Sequence, residues 1–281
     1  SLALTPRSNS SPSWELMPRS DRKIAIVGLG LIGGSFFKAI REKGLAVTGI
    51  DKNDPVEVGD ADLLIIALHP GLAIEWLKTY NKKIKPGAVV LDVCGVKSAL
   101  CKAAEELEKD WTFLGGHPMA GKEVSGFENS SAALFEGASM ILTPQTKEEN
   151  EAAESLRPFF ESLGFARVIL TTPEKHDEMI AYTSQLCHIL SNAYLRDELA
   201  LKSKGFAGGS FRDLTRVGAP DPKLWTELFI MDREALLPII DRFMERLSDF
   251  RSALEKKDEE AMRSQLREGT LMKEKLTSQK K

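Results

Sequence analysis

From Lys23 onward, short apolar runs alternate with stretches whose apolar residues recur every three or four positions. The runs are IAIVG from Ile24, LAVTGID from Leu45, DLLIIAL from Asp62, AVVLDV from Ala88, Trp111–Leu114, a run around Ser139–Leu142, and ARVIL from Ala166. Between them the spacing predicts a helix ending near Lys43, one carrying Ile74 and Leu77, one over Ser98–Lys109 and one over Glu148–Leu163. Strand and helix in alternation predict a parallel sheet, because each parallel crossover needs a dozen or more residues and a helix supplies them. Only about ten residues separate Asp51 from the run at Asp62, too few for a helix and a further strand, so the sheet is expected to be reduced there.

The strand pattern stops after Thr171. Thr172 as a cap with Pro173 in the first helical position starts a helix, and the remainder reads as helical. Met179, Tyr182, Leu186, Ile189 and Ala193 give one apolar face. Leu236, Ile240, Phe243, Leu247, Phe250 and Leu254 come next at steps of four and three, the spacing of a helix–helix seam, with Pro238 expected to kink or break the helix near its start. This divides the chain into residues 1–20, a Ser- and Pro-rich stretch without periodicity read as a flexible leader, residues 21–171, and residues 172–281.

Composition narrows the class. With 281 residues and 42% hydrophobic content the chain can bury two cores. A net charge of −3 with signs mixed along the chain leaves no basic stripe for nucleic acid. No apolar run reaches the ~20 residues of a spanning helix, and no signal peptide is visible, so a cytoplasmic protein without membrane contact is expected. Cys94, Cys101 and Cys187 are odd in number and lack CxxC spacing, which argues for reduced thiols and against a metal site.

Chemistry concentrates in two motifs. IAIVGLGLIGGS puts Gly28, Gly30 and Gly33 in GxGxxG register, with Leu29, Leu31 and Ile32 between them, directly after a strand and opening a helix. The first glycine permits the tight turn, the second lets a pyrophosphate approach the backbone, and the third allows close helix packing. Asp51 ends the next strand, where a carboxylate binds both ribose hydroxyls and repels a 2′-phosphate, so NAD is the expected cofactor. The second motif is Gly115, Gly116, His117, Pro118, Met119, Ala120, Gly121. It reads as a constrained loop that presents one imidazole as a base.

GLGLIGGS, DVCGVKS, GGHPMAG with Lys122, Glu123 and Ser125, HDEMIAYTSQLCH and FRDLTRVG, in this order, resemble the prephenate and arogenate dehydrogenases of tyrosine biosynthesis, from about Lys23 to beyond Leu254. The resemblance implies an α/β architecture: a Rossmann-type nucleotide-binding domain followed by an all-helical dimerisation domain, hence a homodimer. It implies NAD-dependent oxidative decarboxylation of prephenate to 4-hydroxyphenylpyruvate and CO2, or of arogenate to tyrosine. In that pattern His117 takes the proton of the ring hydroxyl. Arg216 binds a carboxylate, with Asp213 three residues earlier as its support; His188 and Gln185 lie near substrate; and Glu123 belongs to an ionic gate at the entrance. His176 and Trp225 also have family counterparts, although by position alone they read as an exposed first-turn residue and a core aromatic.

The sequence also departs from the family pattern. Gly95 stands where many members have a serine that bonds the catalytic histidine or the substrate hydroxyl, Gln185 where a second histidine is common, and Lys122 where a threonine is common. The Cys94 thiol is a poor substitute donor. His69, in ALHP, reads as a loop histidine. Two competing readings are a hydroxy-acid dehydrogenase, for which Lys202 or Lys204 would have to serve, and a non-catalytic dinucleotide-binding protein. Roughly thirty charged and polar residues at the end are too few for a regulatory domain, so tyrosine inhibition, if any, would act at the active site.

Overall fold

The structure is a computed structural model that describes residues 22–122 and 124–278; the expected leader and Glu123 lie outside the described residues. Packing divides the chain into two compact units, Ser1–Arg233 and Glu234–Lys281.

The first unit holds a seven-stranded sheet in the order β2-β1-β3-β4-β5-β6-β7. Its strands are β1 (Ile24–Val27), β2 (Val47–Ile50), β3 (Leu63–Ile66), β4 (Val89–Asp92), β5 (Thr112–Pro118), β6 (Ser139–Thr143) and β7 (Arg167–Leu170). Each falls on one of the apolar runs, except that β5 continues past its run at Leu114 to Pro118. The sheet is not wholly parallel: β6 runs antiparallel to β5 and parallel to β7. As expected from the short interval after Asp51, neither helix nor strand occupies residues 51–62; β2 is an edge strand of the sheet.

Helices α1 (Leu31–Glu42), α2 (Pro70–Tyr80), α3 (Ser98–Glu105) and α4 (Lys147–Ser162) cover the two faces. Alternate strand residues face opposite ways. Ile24, Ile26, Leu63, Ile65 and Leu91 pack with Phe36 and Ile40 of α1 and Leu156 and Phe160 of α4. Ala25, Val27, Leu64, Ile66 and Val90 pack with Trp76 and Leu77 of α2 and Leu100 and Ala104 of α3. Burial on both faces is why these strands read as continuous apolar runs.

After β7 the chain is helical: α5 (Pro173–Ile180), a π turn (Ala181–Gln185), α6 (Leu186–Leu195), α7 (Gly209–Thr215) and α8 (Pro222–Met231). Although the change from strand to helix comes at Thr172, these helices belong to the first packed unit, and two carboxylates fasten them to the sheet layer. Asp177 of α5 accepts the backbone N–H groups of Lys97 and Ser98 at 2.8 Å each, capping α3. Glu227 of α8 accepts the N–H of Gly71 at 2.5 Å, capping α2. Neither α2 nor α3 has a side-chain cap of its own, so each carboxylate satisfies donors that the helix start leaves open.

The apolar face expected along Met179, Tyr182, Leu186, Ile189 and Ala193 is not the buried one. Of that face Leu186 is buried, but Met179, Tyr182 and Ala193 are exposed and Ile189 is half-buried, while Ile180, Ala181 and Gln185 are buried off it. The π turn inserts an extra residue and rotates the next helix, α6, by about 100° relative to a regular continuation, which a 3.6-residue period cannot anticipate.

The second unit holds most of α9 (Arg233–Lys256) and all of α10 (Glu259–Ser278). Pro238 does not break α9. It is the sixth residue, so only the hydrogen bond its own nitrogen would make is lost, while the helix continues on both sides.

Candidate active site

His117 is the centre of the site, but it is not on a loop. β5 extends through Gly115, Gly116, His117 and Pro118, with His117 paired to Ile141 of β6. The glycines serve packing. A Cβ on Gly115 would stand 2.3 Å from Thr143 Oγ1, and one on Gly116 would stand 2.7 Å from Leu91 Cδ1 and 2.8 Å from the Asp92 carbonyl oxygen. The imidazole is therefore presented from the sheet.

A chain of hydrogen bonds runs from it into the helical layer. His117 Nδ1 lies 2.8 Å from His176 Nε2, and His176 Nδ1 lies 2.8 Å from Asp177 Oδ1. An ionised carboxylate only accepts, so His176 donates from Nδ1 and accepts at Nε2. His117 then donates from Nδ1, and its lone pair is on Nε2. Asp177 is itself held by the two α3 amides. Burial, which pushes its pKa up, is outweighed by hydrogen bonds from His176, Ser98 and Lys97, so Asp177 stays below the ordinary carboxylate value. Burial, followed by the neighbouring His176 and the Lys97 ammonium, holds the His117 imidazole well below its ordinary value, against the pull of Asp177. His176 is lowered too, chiefly by burial. His117 is thus a neutral, oriented base near neutral pH.

Beneath the histidine is a fully buried ion pair. Lys97 Nζ bonds the Asp92 carboxylate and donates to the Gly116 carbonyl at 2.6 Å. Asp92 also accepts the N–H groups of Cys94 at 3.0 Å and Gly116 at 3.2 Å. Each charge is paired and hydrogen-bonded, as burial demands. The pair fixes β4 to the glycine segment that carries His117.

The nucleotide cradle lies at the carboxyl ends of β1, β2 and β3, where the strand order reverses. Gly28 has φ +89°, and a Cβ there would lie 2.5 Å from the Ala67 carbonyl oxygen; a Cβ on Gly33 would lie 1.9 Å from the Gly28 oxygen. Gly30 faces open space, and as the cap residue of α1 it leaves the first amides without a side-chain partner. That arrangement fits a pyrophosphate. Leu29 packs on Gly49, and Leu31 and Ile32 open α1. A cleft of about 420 Å³ continues past Gly28 to Asp51, Asp54, Leu68 and Tyr80. Asp51 is exposed there in a turn, its Oδ1 accepting the N–H of Lys52 at 2.9 Å and its own N–H donating to Asp54 Oδ2 at 2.8 Å.

The remaining expected residues fall in the helical layer. His188 of α6 is half-buried, donates from Nδ1 to the Ser184 carbonyl at 2.9 Å, and stacks on Trp225 of α8 with ring centroids 3.7 Å apart. Trp225 is therefore a stacking partner as well as packing. Both line a cavity of about 410 Å³ together with Asn192 and Arg196. Gln185 is buried, with Nε2 donating to Asp232 Oδ2 at 2.7 Å. Asp213 is in α7 and Arg216 stands just past its last residue, both exposed. Gly95 is where a missing hydroxyl would count: a Cβ there would be 4.0 Å from His117 Cε1. The Cys94 thiol is spent on the Leu68 carbonyl, 3.2 Å away. His69 is exposed at the start of α2, and Lys122 donates to the Asn129 carbonyl at 3.1 Å.

Sequence reasoning missed Asp177, Asp92, Lys97 and Asp232, and underrated His176, which is 2% exposed instead of a surface residue. The signal for Lys97 and Asp92 was two opposite charges five positions apart at the end of an apolar strand. For His176 and Asp177 it was an adjacent acid–base pair in the first turn of a capped helix.

A dinucleotide cradle at the sheet's switch point, with an oriented neutral base on β5 of the same sheet, defines an NAD-dependent oxidoreductase. Comparison with known proteins gives the family. The domain described as "Prephenate dehydrogenase, nucleotide-binding domain" matches residues 31–180, and "Prephenate dehydrogenase, dimerization domain" matches residues 172–268. The chain belongs to the prephenate dehydrogenase family. It is 28% identical to a cyclohexadienyl dehydrogenase of Zymomonas mobilis over 264 residues, covering 84% of this chain and 90% of that protein. It is 29% identical to the prephenate dehydrogenase of Bacillus subtilis over 265 residues, covering 84% and 71%. Among solved structures, prephenate dehydrogenase from A. aeolicus in complex with hydroxyphenyl propionate and NAD+ is similar with a TM-score of 0.81 and 27% identity, covering 92% of this chain and 99% of that one. Synechocystis arogenate dehydrogenase is similar with a TM-score of 0.78 and 27% identity, covering 90% and 99%.

Proposed function

We propose that this protein oxidises and decarboxylates prephenate to 4-hydroxyphenylpyruvate and CO2, with NAD+ reduced to NADH. The observation that carries the reading is the His117–His176–Asp177 chain, which leaves a lone pair on His117 Nε2 of a neutral imidazole. Gly28, Gly30 and the α1 amides hold the pyrophosphate, and Asp51 holds the ribose hydroxyls. Bound NAD+ supplies the acceptor for the two electrons and hydrogen that leave the hydroxyl-bearing ring carbon.

The protein's own part is modest, because loss of CO2 and formation of an aromatic ring drive the reaction. His117 removes the hydroxyl proton as the carbon is oxidised, and loss of the ring carboxylate as CO2 then gives the phenol. His176 keeps the tautomer that exposes Nε2, and the negative charge of Asp177 stabilises the imidazolium once formed. In this reading Arg216 binds a substrate carboxylate through a planar guanidinium, His188 and Gln185 border the substrate, Asp213 supports that region, and Glu123 gates the entrance. Residues 21–171 form the nucleotide-binding half and residues 172–281 the substrate and dimerisation half of a cytoplasmic homodimer. Support for the homodimer is the dimerization-domain match. Among the described residues no helix is long and apolar enough to cross a membrane. A hydroxy-acid dehydrogenase is less well supported, since Lys202 and Lys204 are exposed and stand outside the His117 chain.

The test is the initial rate of NADH formation with prephenate and arogenate offered side by side, in wild type and His117→Asn. Turnover of prephenate that falls ~10²- to 10⁴-fold in the variant, with NAD binding kept, is the expected result. Preference for arogenate would move the substrate to the amine. Turnover of neither would overturn the reading.

A further inference from the structure

Gln185 and Asp232 form a second buried polar pair, 1% and 4% exposed. Gln185 ends the π turn and leads into α6, which carries His188; Asp232 ends α8, which carries Trp225. The pair thus ties together the two segments that hold the His188–Trp225 stack. One of its bonds is visible, Gln185 Nε2 to Asp232 Oδ2 at 2.7 Å. The other half is unaccounted for: Gln185 Oε1 is buried and has no donor.

An ionised carboxylate has no proton to give to Oε1, whereas a neutral carboxylic acid beside a primary amide makes two bonds, N–H to carbonyl and O–H to amide oxygen. We propose that Asp232 is a positioning residue that carries a proton, closing a reciprocal acid–amide pair with Gln185 that fixes the π turn and the His188–Trp225 stack. The surrounding charges agree. On α5, Asp177 faces Asp232 with a negative charge, and His176 is held neutral; at the start of α3 the Lys97 ammonium is spent on Asp92; the flanking Arg233 and Glu234 are exposed. Burial, then Asp177, pushes the Asp232 carboxyl up to about 7, with the Gln185 bond opposing. As pH rises through that value the proton leaves, a second carboxylate faces Asp177, and Oε1 loses its donor. The π turn then loosens and substrate binding weakens. That last effect rests on the proposed reaction; the proton itself does not.

Infrared pH-difference spectra of the whole unliganded protein test the proton. A protonated-carboxyl C=O band that fades as pH rises through about 7 is expected in wild type, shifted by isotope-labelled aspartate and missing in Asp232→Asn. No such aspartate band, or an unchanged band in the variant, would overturn the proposal. Should the variant fail to fold, the labelled wild-type band still decides. Steady-state kinetics test the positioning role. The KM for prephenate should rise several-fold in wild type from mildly acid to mildly alkaline pH. It should stay flat in Asp232→Asn, whose amide can make both bonds, and be high throughout in Asp232→Leu. The same pH dependence in wild type and Asp232→Asn would sink the role. A protein that shows the band but turns over neither prephenate nor arogenate would keep the proton and refute the reaction instead.

Discussion

His117 and His176 share one hydrogen bond, Nδ1 to Nε2 at 2.8 Å, and that bond selects which nitrogen of His117 is free to act. Asp177 sets its direction from behind. His176→Leu should therefore leave His117 in both tautomers and lower kcat roughly tenfold or more, with little change in NAD affinity. The charges give the sign of the pH effect. His176 lowers the His117 pKa, so its removal raises it, and the acid limb of kcat/KM should move to higher pH. An acid limb that stays in place would show that the second imidazole does not act on the first.

Gly95 is the position from which a hydroxyl would reach the base. A Cβ there would meet Leu228 Cδ2 at 3.4 Å and nothing closer, so a serine fits without rearrangement. One added hydrogen bond near the reacting oxygen is worth about 1 kcal/mol, and Gly95→Ser should raise kcat/KM about fivefold at unchanged Tm. A fall in rate would mean that this site has been tuned around the missing hydroxyl.

Arg216→Ala should raise the substrate KM at least tenfold and leave NAD binding almost unchanged, since a charge-assisted bidentate contact is worth roughly 1.5–3 kcal/mol. Isothermal titration with NAD+ beside steady-state kinetics separates the two. Equal losses in both would remove Arg216 from the substrate site.

Lys97 is fully buried, and its removal would leave the buried Asp92 carboxylate without its counter-charge, held only by the Cys94 and Gly116 amides. Breaking such a pair costs about 3–5 kcal/mol, so Lys97→Met should lower Tm by on the order of ten degrees. Lys97→Met with Asp92→Asn should recover part of that loss. A single variant as stable as wild type would show that Asp92 needs no counter-charge.

The parts of this fold that were legible in the sequence are those written in local spacing. β1, β3 and β4 are apolar runs packed on both faces, and the short step from Asp51 to Asp62 left no room for a further helix and strand beside β2. GxGxxG was legible because its three glycines keep a fixed local spacing directly after an apolar strand and at the start of a helix. The strand character of Gly115–Pro118 was not legible, because the ladder to β6 requires residues 139–143, and glycines beside a proline mimic a loop. Nor was the π turn, whose extra residue is invisible to a fixed period. The His176–Asp177 link to α3 and the Gln185–Asp232 pair join positions about eighty and forty-seven apart, which no local pattern encodes.

The two glycines before His117 leave no space for any side chain, being closed by Thr143, Leu91 and Asp92. The floor under the base is thus frozen against mutation. A descendant of this protein that came to accept a different ring or side chain would have to be rewritten on α5 to α8 and the turns between them, with the histidine kept where it is. Libraries aimed at new substrates belong on those helices, and the strand should be left alone.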